Sequence, residues 1–301
     1  MIDTPLWVQI WAQKPFHIIT FFLFLVLIVL VMLFRDRLSQ RKATLDMLKY
    51  GIFGISFVYV GLILKAQPTT TNIIIMVSAL REKQFPVGLY LMEPFIFLSF
   101  IFIFFTLLTW GRGVFCGWLC PYGAMLELLN RIYHKLVPKG RIELPEIINN
   151  KLIYLKYIIF LLILGVSFYS FMLSEYMTEV EPFRTFVLKL NREWYFVFYF
   201  MILTVGSMII YRAFCRYLCP LGAALAIPSL IRRVPLIKLN RYDFCSRCKI
   251  CTKTCASRAI TASGIIDSRE CMNCLDCQVN YWDQDVCPVL IRRNKEKDRS
   301  L

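Results

Sequence analysis

Histidine is scarce in this chain: His17 and His134 are the only two in 301 residues. A haem b held by two histidines inside a membrane needs ligands facing each other across a bundle, and His134 lies in a polar stretch, so no haem is expected. There is no Cys-x2-Cys-His, which excludes a covalently attached haem. Charge is also thin. Only 18% of residues are charged while 58% are hydrophobic, and the mean hydropathy is +0.58, a balance that rules out an ordinary cytosolic enzyme. P-loop, dinucleotide-binding fingerprint and Ser-His-Asp set are all lacking. Met1 to Lys14 has no basic leader, so a cleaved signal peptide is not expected.

What fills the chain instead is apolar and aromatic: 25 Phe, 15 Tyr and 6 Trp. Stretches of about 17 or more apolar residues can span a bilayer core of about 30 Å. Five qualify, near 16–34, 47–65, 91–110, 152–173 and 194–211. The run Thr70 to Leu80 is short and opens on three threonines, which fits an interfacial helix. The expected fold is an all-α transmembrane bundle of about five helices.

Basic residues orient it. Twenty-eight of the 35 Lys and Arg fall in the loop after the first span, in Arg112 to Lys156 and in the tail from Arg212. The other seven are Lys14, Lys65, Arg81, Lys83, Arg184, Lys189 and Arg192. Lys and Arg concentrate on the cytoplasmic side, so the amino terminus is expected in the periplasm and the carboxy terminus in the cytoplasm of a bacterial inner membrane. The net charge of +15 then reflects orientation and contact with membrane lipid, not nucleic acid.

The sequence repeats itself. Glu93-Pro94-Phe95 opens a span that leads to Phe115-Cys116-Gly117-Trp118-Leu119-Cys120-Pro121, and Glu181-Pro182-Phe183 precedes the span leading to Phe214-Cys215-Arg216-Tyr217-Leu218-Cys219-Pro220. Two spans separate equivalent points, so the repeats share one orientation and a pseudo-twofold axis along the membrane normal is expected. Three intervening residues set the two sulfurs of each Cys-x3-Cys-Pro about one helical turn apart. A metal, a cluster or a dithiol could use that geometry. Cys116, Cys120, Cys215 and Cys219 are therefore candidate ligands for copper or a further redox centre, and each pair is expected at the cytoplasmic membrane edge. Glu93 and Glu181 are candidate proton acceptors for a quinol at the outer ends of the repeats. Arg112 and Arg212 are expected to anchor spans at the interface, and His17 to pack there.

The tail carries the strongest pattern. Cys245-x2-Cys248-x2-Cys251-x3-Cys255 has ferredoxin spacing, and Cys271-x2-Cys274-x2-Cys277 repeats the triplet, with Cys287-Pro288 as a delayed fourth thiol. In two-cluster ferredoxins the fourth thiol of each run serves the other cluster. One 4Fe-4S cluster is thus expected on Cys245, Cys248, Cys251 and Cys287, and another on Cys271, Cys274, Cys277 and Cys255. Two successive three-cysteine runs are awkward for tetrahedral zinc. Ala256 stands where a proline usually follows, and Asp283 or Asp285 could replace Cys287 as a ligand. Domains are expected at 1–231, the transmembrane bundle, and 232–301, a small ferredoxin-like unit.

The doubled Cys-x3-Cys-Pro followed by two ferredoxin-like runs resembles the NosR/NapH family of membrane iron-sulfur proteins over nearly the whole chain. The five spans, the Glu-Pro-Phe repeat and the long Cys277–Cys287 stretch are most similar to NosR. The resemblance implies electron transfer between quinol or a cytoplasmic donor and a periplasmic respiratory reductase of the nitrous oxide or nitrate type. Only Met1 to Pro15 precedes the first span, so any flavin is expected on a separate flavoprotein or to have been lost. Copper-handling oxidase assembly factors share both cysteine patterns, and a copper maturation role is the alternative. Catalytic residues are not legible.

Overall fold

A computed structural model describes residues 5–81, 87–137, 142, 144–230, 235–237, 239, 248–261 and 263–299. The expected boundary at 231/232 and Cys245 lie outside the described residues. The described chain is helical, with one isolated bridge between Ile260 and Ile266.

Proline starts many of the helices. It costs nothing at the first helical position, where its missing N–H has no partner to lose. Pro15 opens α1 (Pro15–Leu33) in this way. There follow α2 (Lys42–Ile63), whose second half is π-helical, and α3 (Thr70–Arg81). Next come α4 (Pro94–Thr109), α5 (Pro121–Leu136), α6 (Glu146–Tyr169), α7 (Trp194–Ile209) and α8 (Pro220–Ala226). Pro94, Pro121 and Pro220 are again first residues.

Three helices, α1, α2 and α6, are long and apolar enough to cross a membrane. The 16 residues of α4 and of α7 rise only about 24 Å. The outer faces fit a lipid-facing surface: Phe16, Phe104, Phe105, Tyr169 and Trp194 are all exposed. Inside, Tyr122 sits at the centre of an aromatic cluster, with edge contacts to Phe183, Phe186, Phe200 and Phe214. His17 pairs with Tyr59 at 3.1 Å, joining α1 to α2.

The decisive feature for the site is a reversal after each short helix. Gly111 has φ +89° and Arg212 φ +47°, left-handed conformations that end α4 and α7 and turn the chain back. The returning limbs, Phe115–Leu119 and Phe214–Leu218, are π-helical. After Cys120-Pro121 and Cys219-Pro220, α5 and α8 lead away again. The helix α2 measures how far the first limb travels. Its Lys49 meets Asp276 of the tail at 2.5 Å, Ser56 donates to the Trp118 carbonyl, and Gly61 abuts Pro121. Lys49 to Gly61 is about 18 Å along a helix. Farther along α5, Arg131 is back beside Asp46 and Tyr50. The first limb is thus one arm of a re-entrant hairpin. Cys120 thus lies toward the far end of α2 from the docked tail, while Gly117, beside Cys116, abuts Met272. Hydropathy cannot show a reversal that depends on backbone dihedrals.

Candidate functional site

The two hairpins cross. Arg112 donates to the Gly222 carbonyl at 3.1 Å, and Arg212 donates to the Cys116 carbonyl at 2.7 Å. Each arginine therefore fastens its own limb to the other one. Both are buried, with 1% and 2% exposure, which corrects their expected role as interfacial anchors. A buried guanidinium needs a counter-charge. Arg112 has Glu270 at 3.2 Å, which Lys156 also reaches at 2.6 Å, and Arg212 has Glu127 at 2.9 Å.

The limbs bring Cys116 and Cys215 into electrostatic reach of each other, and each of Cys120 and Cys219 into reach of both. Each second cysteine has one polar side chain above it. The Gln67 amide lies 3.6 Å from the Cys120 sulfur, and its oxygen accepts from the Tyr122 N–H at 3.2 Å. In the other repeat, Glu181 accepts from the Leu221 N–H at 3.2 Å and from Thr70. Tyr122 and Leu221 are equivalent positions, one residue past each Cys-Pro.

The structural partner of Glu181-Pro182 is thus Gln67-Pro68, not Glu93-Pro94. Glu93 precedes the first residue of α4, is exposed, and corresponds to Glu193 at the start of α7. Burial pushes the Glu181 carboxyl up to about 7 against the hydrogen bonds it accepts. Above Gln67 and Glu181 opens a cavity of about 310 Å³, walled by Lys65, Thr69, Asn72, Thr178 and Arg184.

At the opposite end, the tail is pressed onto the first limb. A Cβ on Gly113 would lie 2.5 Å from the Cys271 carbonyl, and one on Gly117 would overlap that of Met272. Only glycine allows this approach. Asn273 is clamped between two tryptophans: its side-chain amide donates to the Trp110 carbonyl at 2.9 Å, and its own carbonyl accepts from the Trp118 indole at 3.0 Å.

Within the tail, Cys255, Cys271, Cys274 and Cys277 line one pocket, the set expected from crosswise ligation. Soft thiols are the ligand type that an iron-sulfur cluster takes. Cys248 is exposed, while Cys251 and Cys287 are half-buried. Among the described residues, no group of three His, Cys, Asp or Glu stands at metal-holding distances. Gln67, Trp118, Glu127 and Glu270 escaped the sequence reading. The Gln67-Pro68 dipeptide, which parallels Glu181-Pro182, and the pair Gly113/Gly117 were the available hints.

Comparison with known proteins bears on the same regions. A family model described as a 4Fe-4S binding domain matches twice, over 92–140 and 193–238, the two halves of the repeat. A model described as NosR matches 243–298. The regulatory protein NosR of Pseudomonas aeruginosa is 41% identical over 98% of this chain and 41% of its own length. Protein NirI of Paracoccus denitrificans is 36% identical over 96% of this chain and 42% of its own length. The ferredoxin-type protein NapH of Haemophilus influenzae is 26% identical over 81% of this chain and 85% of its own. The chain spans about two fifths of the length of NosR and NirI. No solved structure matches it. With its apolar helices and its likeness to all three relatives, the chain belongs to the NosR/NapH family of membrane proteins that bind 4Fe-4S clusters.

Proposed function

We propose that this chain carries electrons through a bacterial cytoplasmic membrane, between quinol or a cytoplasmic donor and a periplasmic respiratory reductase or its flavoprotein partner, in denitrification-type respiration. The observation that carries this reading is the pocket of Cys255, Cys271, Cys274 and Cys277 lying directly against the first Cys-x3-Cys-Pro limb. These four cysteines would hold one 4Fe-4S cluster, and Cys245, Cys248, Cys251 and Cys287 the other. Such clusters, when bound, take up and release single electrons without breaking a covalent bond. Cys116, Cys120, Cys215 and Cys219 would hold a further soft-metal redox centre deeper in the bundle.

The chain's own residues do the rest. Gly113 and Gly117 admit the tail, Arg112 and Arg212 lock the limbs together, and Gln67 and Glu181 fix the peptides that follow Cys120 and Cys219. The cavity above them is the proposed contact point for a quinone headgroup or a partner's flavin. In this reading the bundle has five spans, the amino terminus is periplasmic and the tail cytoplasmic, as the distribution of Lys and Arg supports.

Iron analysis and anaerobic EPR test it. The full chain should hold about eight iron atoms in cubane clusters of four, with Cys248→Ser and Cys274→Ser each losing one cluster. A metal-dependent redox signal should survive in the bundle and vanish when Cys116, Cys120, Cys215 and Cys219 are replaced together. Recovery of zinc in place of iron would reject the tail assignment. Stoichiometric copper binding by these four cysteines, with no electron uptake from quinol, would favour a maturation role.

A further inference from the structure

Between the pocket of the tail and the first Cys-x3-Cys-Pro pair runs a continuous bonded path. The Asn273 backbone N–H points to the Cys271 sulfur at 3.5 Å. The carbonyl of the same residue accepts from the Trp118 indole N–H at 3.0 Å. Trp118 is 1% exposed and stands midway between Cys116 and Cys120 in sequence. Its own carbonyl is held by Ser56 at 2.7 Å, so both ends of the residue are fixed. Among the described residues, the second repeat meets the tail differently, with Arg216 and Tyr217 lining one pocket with Ala256 and Arg258. Its equivalent residue, Tyr217, donates to Asn149 of α6 at 2.9 Å, and Arg212 and Arg216 replace the glycines that admit the tail.

We propose that Trp118, in the first repeat, is the positioning residue for electron passage between the tail and the bundle. This rests on the reading of Cys116, Cys120, Cys215 and Cys219 as a redox centre. The step moves one electron. A cluster held by Cys255, Cys271, Cys274 and Cys277 would supply that electron, a soft metal held by Cys116, Cys120, Cys215 and Cys219 would accept it, and no proton would move. Cys248, being exposed, marks the other cluster as the one that soluble donors meet first. The order is then exposed cluster, seated cluster, Trp118, four-thiol centre. A bonded path supports faster electron tunnelling than a gap of equal length, and the buried indole N–H joins the Asn273 carbonyl to the limb between Cys116 and Cys120.

The test uses the full chain in detergent, reduced with dithionite and followed by freeze-quench EPR. Trp118→Phe keeps an aromatic six-membered ring and loses the pyrrole ring with its N–H. Iron content and equilibrium spectra should match the parent, while reduction of the bundle centre slows. Gly117→Ala, which must lift Met272 from its seat, should slow the same step and raise hydrogen exchange over residues 271–276. Tyr217→Phe should leave the rate unchanged. A parental rate in both Trp118→Phe and Gly117→Ala overturns the path, as does an equal slowing in Tyr217→Phe. Absence in the parent of any signal that depends on the four bundle cysteines overturns the redox-centre reading itself, and the path with it.

Discussion

Arg112 of the first repeat donates to the carbonyl of Gly222 in the second at 3.1 Å, three residues beyond Cys219. Because Arg212 returns the grip on Cys116, the two limbs cannot separate without exposing buried charge. Arg212→Met should then leave Glu127 facing Arg131 and Tyr211 alone. Breaking a buried pair on one side costs about 3–5 kcal/mol. Thermal unfolding in detergent should show a loss of that order, and a loss below 1 kcal/mol would contradict the burial described.

Two glycines of α2 should respond in opposite directions. A Cβ on Gly61 would come within 2.8 Å of Pro121 and 2.9 Å of Phe186, whereas one on Gly54 meets nothing within 4 Å. Gly61→Ala should destabilise by about 1–3 kcal/mol through overpacking. Gly54→Ala should stabilise by about 0.5–1 kcal/mol, the usual gain of alanine over glycine in a helix. Chemical denaturation of the two variants side by side checks the sign.

The loop between α6 and α7 should loosen in acid. Burial works to raise the Glu179 carboxyl, but hydrogen bonds from Arg192 and Arg184, each 2.7 Å away, hold it below the usual carboxylate range. A depressed carboxylate stabilises the folded form above its unfolded pKa, and that contribution disappears as pH falls through the folded value. Hydrogen exchange over residues 175–192 should therefore rise as the pH drops below about 4, where free carboxylates titrate. Glu179→Gln should flatten the profile. An unchanged profile in that variant would assign the loosening to another group.

Cys287 and Asp283 can be told apart as ligands. The Asp283 carboxylate already accepts from the backbone N–H of Asp285 at 2.9 Å, and its carbonyl accepts from that of Cys287. Asp283→Ala should keep the full iron content. Cys287→Ser should lose the exposed cluster, read as about half the iron, since each cubane holds four atoms.

Orientation is open to a direct measurement. A reporter active only in the cytoplasm should work after Leu301, and one active only in the periplasm should work when inserted at Lys189. The reverse pattern would place the tail outside.

The sequence displayed the helices because their cause is local. The apolar stretches near 16–34, 47–65, 91–110, 152–173 and 194–211 coincide with α1, α2, α4, α6 and α7. The cysteine spacings likewise announced the set that lines the tail pocket. What stayed hidden depends on backbone turns and distant partners. The reversals at Gly111 and Arg212 leave no trace in hydropathy. Glu181 was paired with Glu93 because Glu-Pro-Phe is the longer match, although Gln67-Pro68 holds the equivalent place in space. Arg112 and Arg212 looked like interfacial anchors because their counter-charges, Glu270 and Glu127, are remote in sequence.

Duplication of a bundle creates an ambiguity for anything that docks on it. Two equal halves offer two equal berths, and a single tail would divide its time between them, halving the population in any one electronic contact. Gly113 and Gly117 open one berth, while Arg212 and Arg216 fill the corresponding positions in the other half. Four residues thus make the two halves unequal where the tail seats, and the close approach of Cys271 and Met272 is open to the first half.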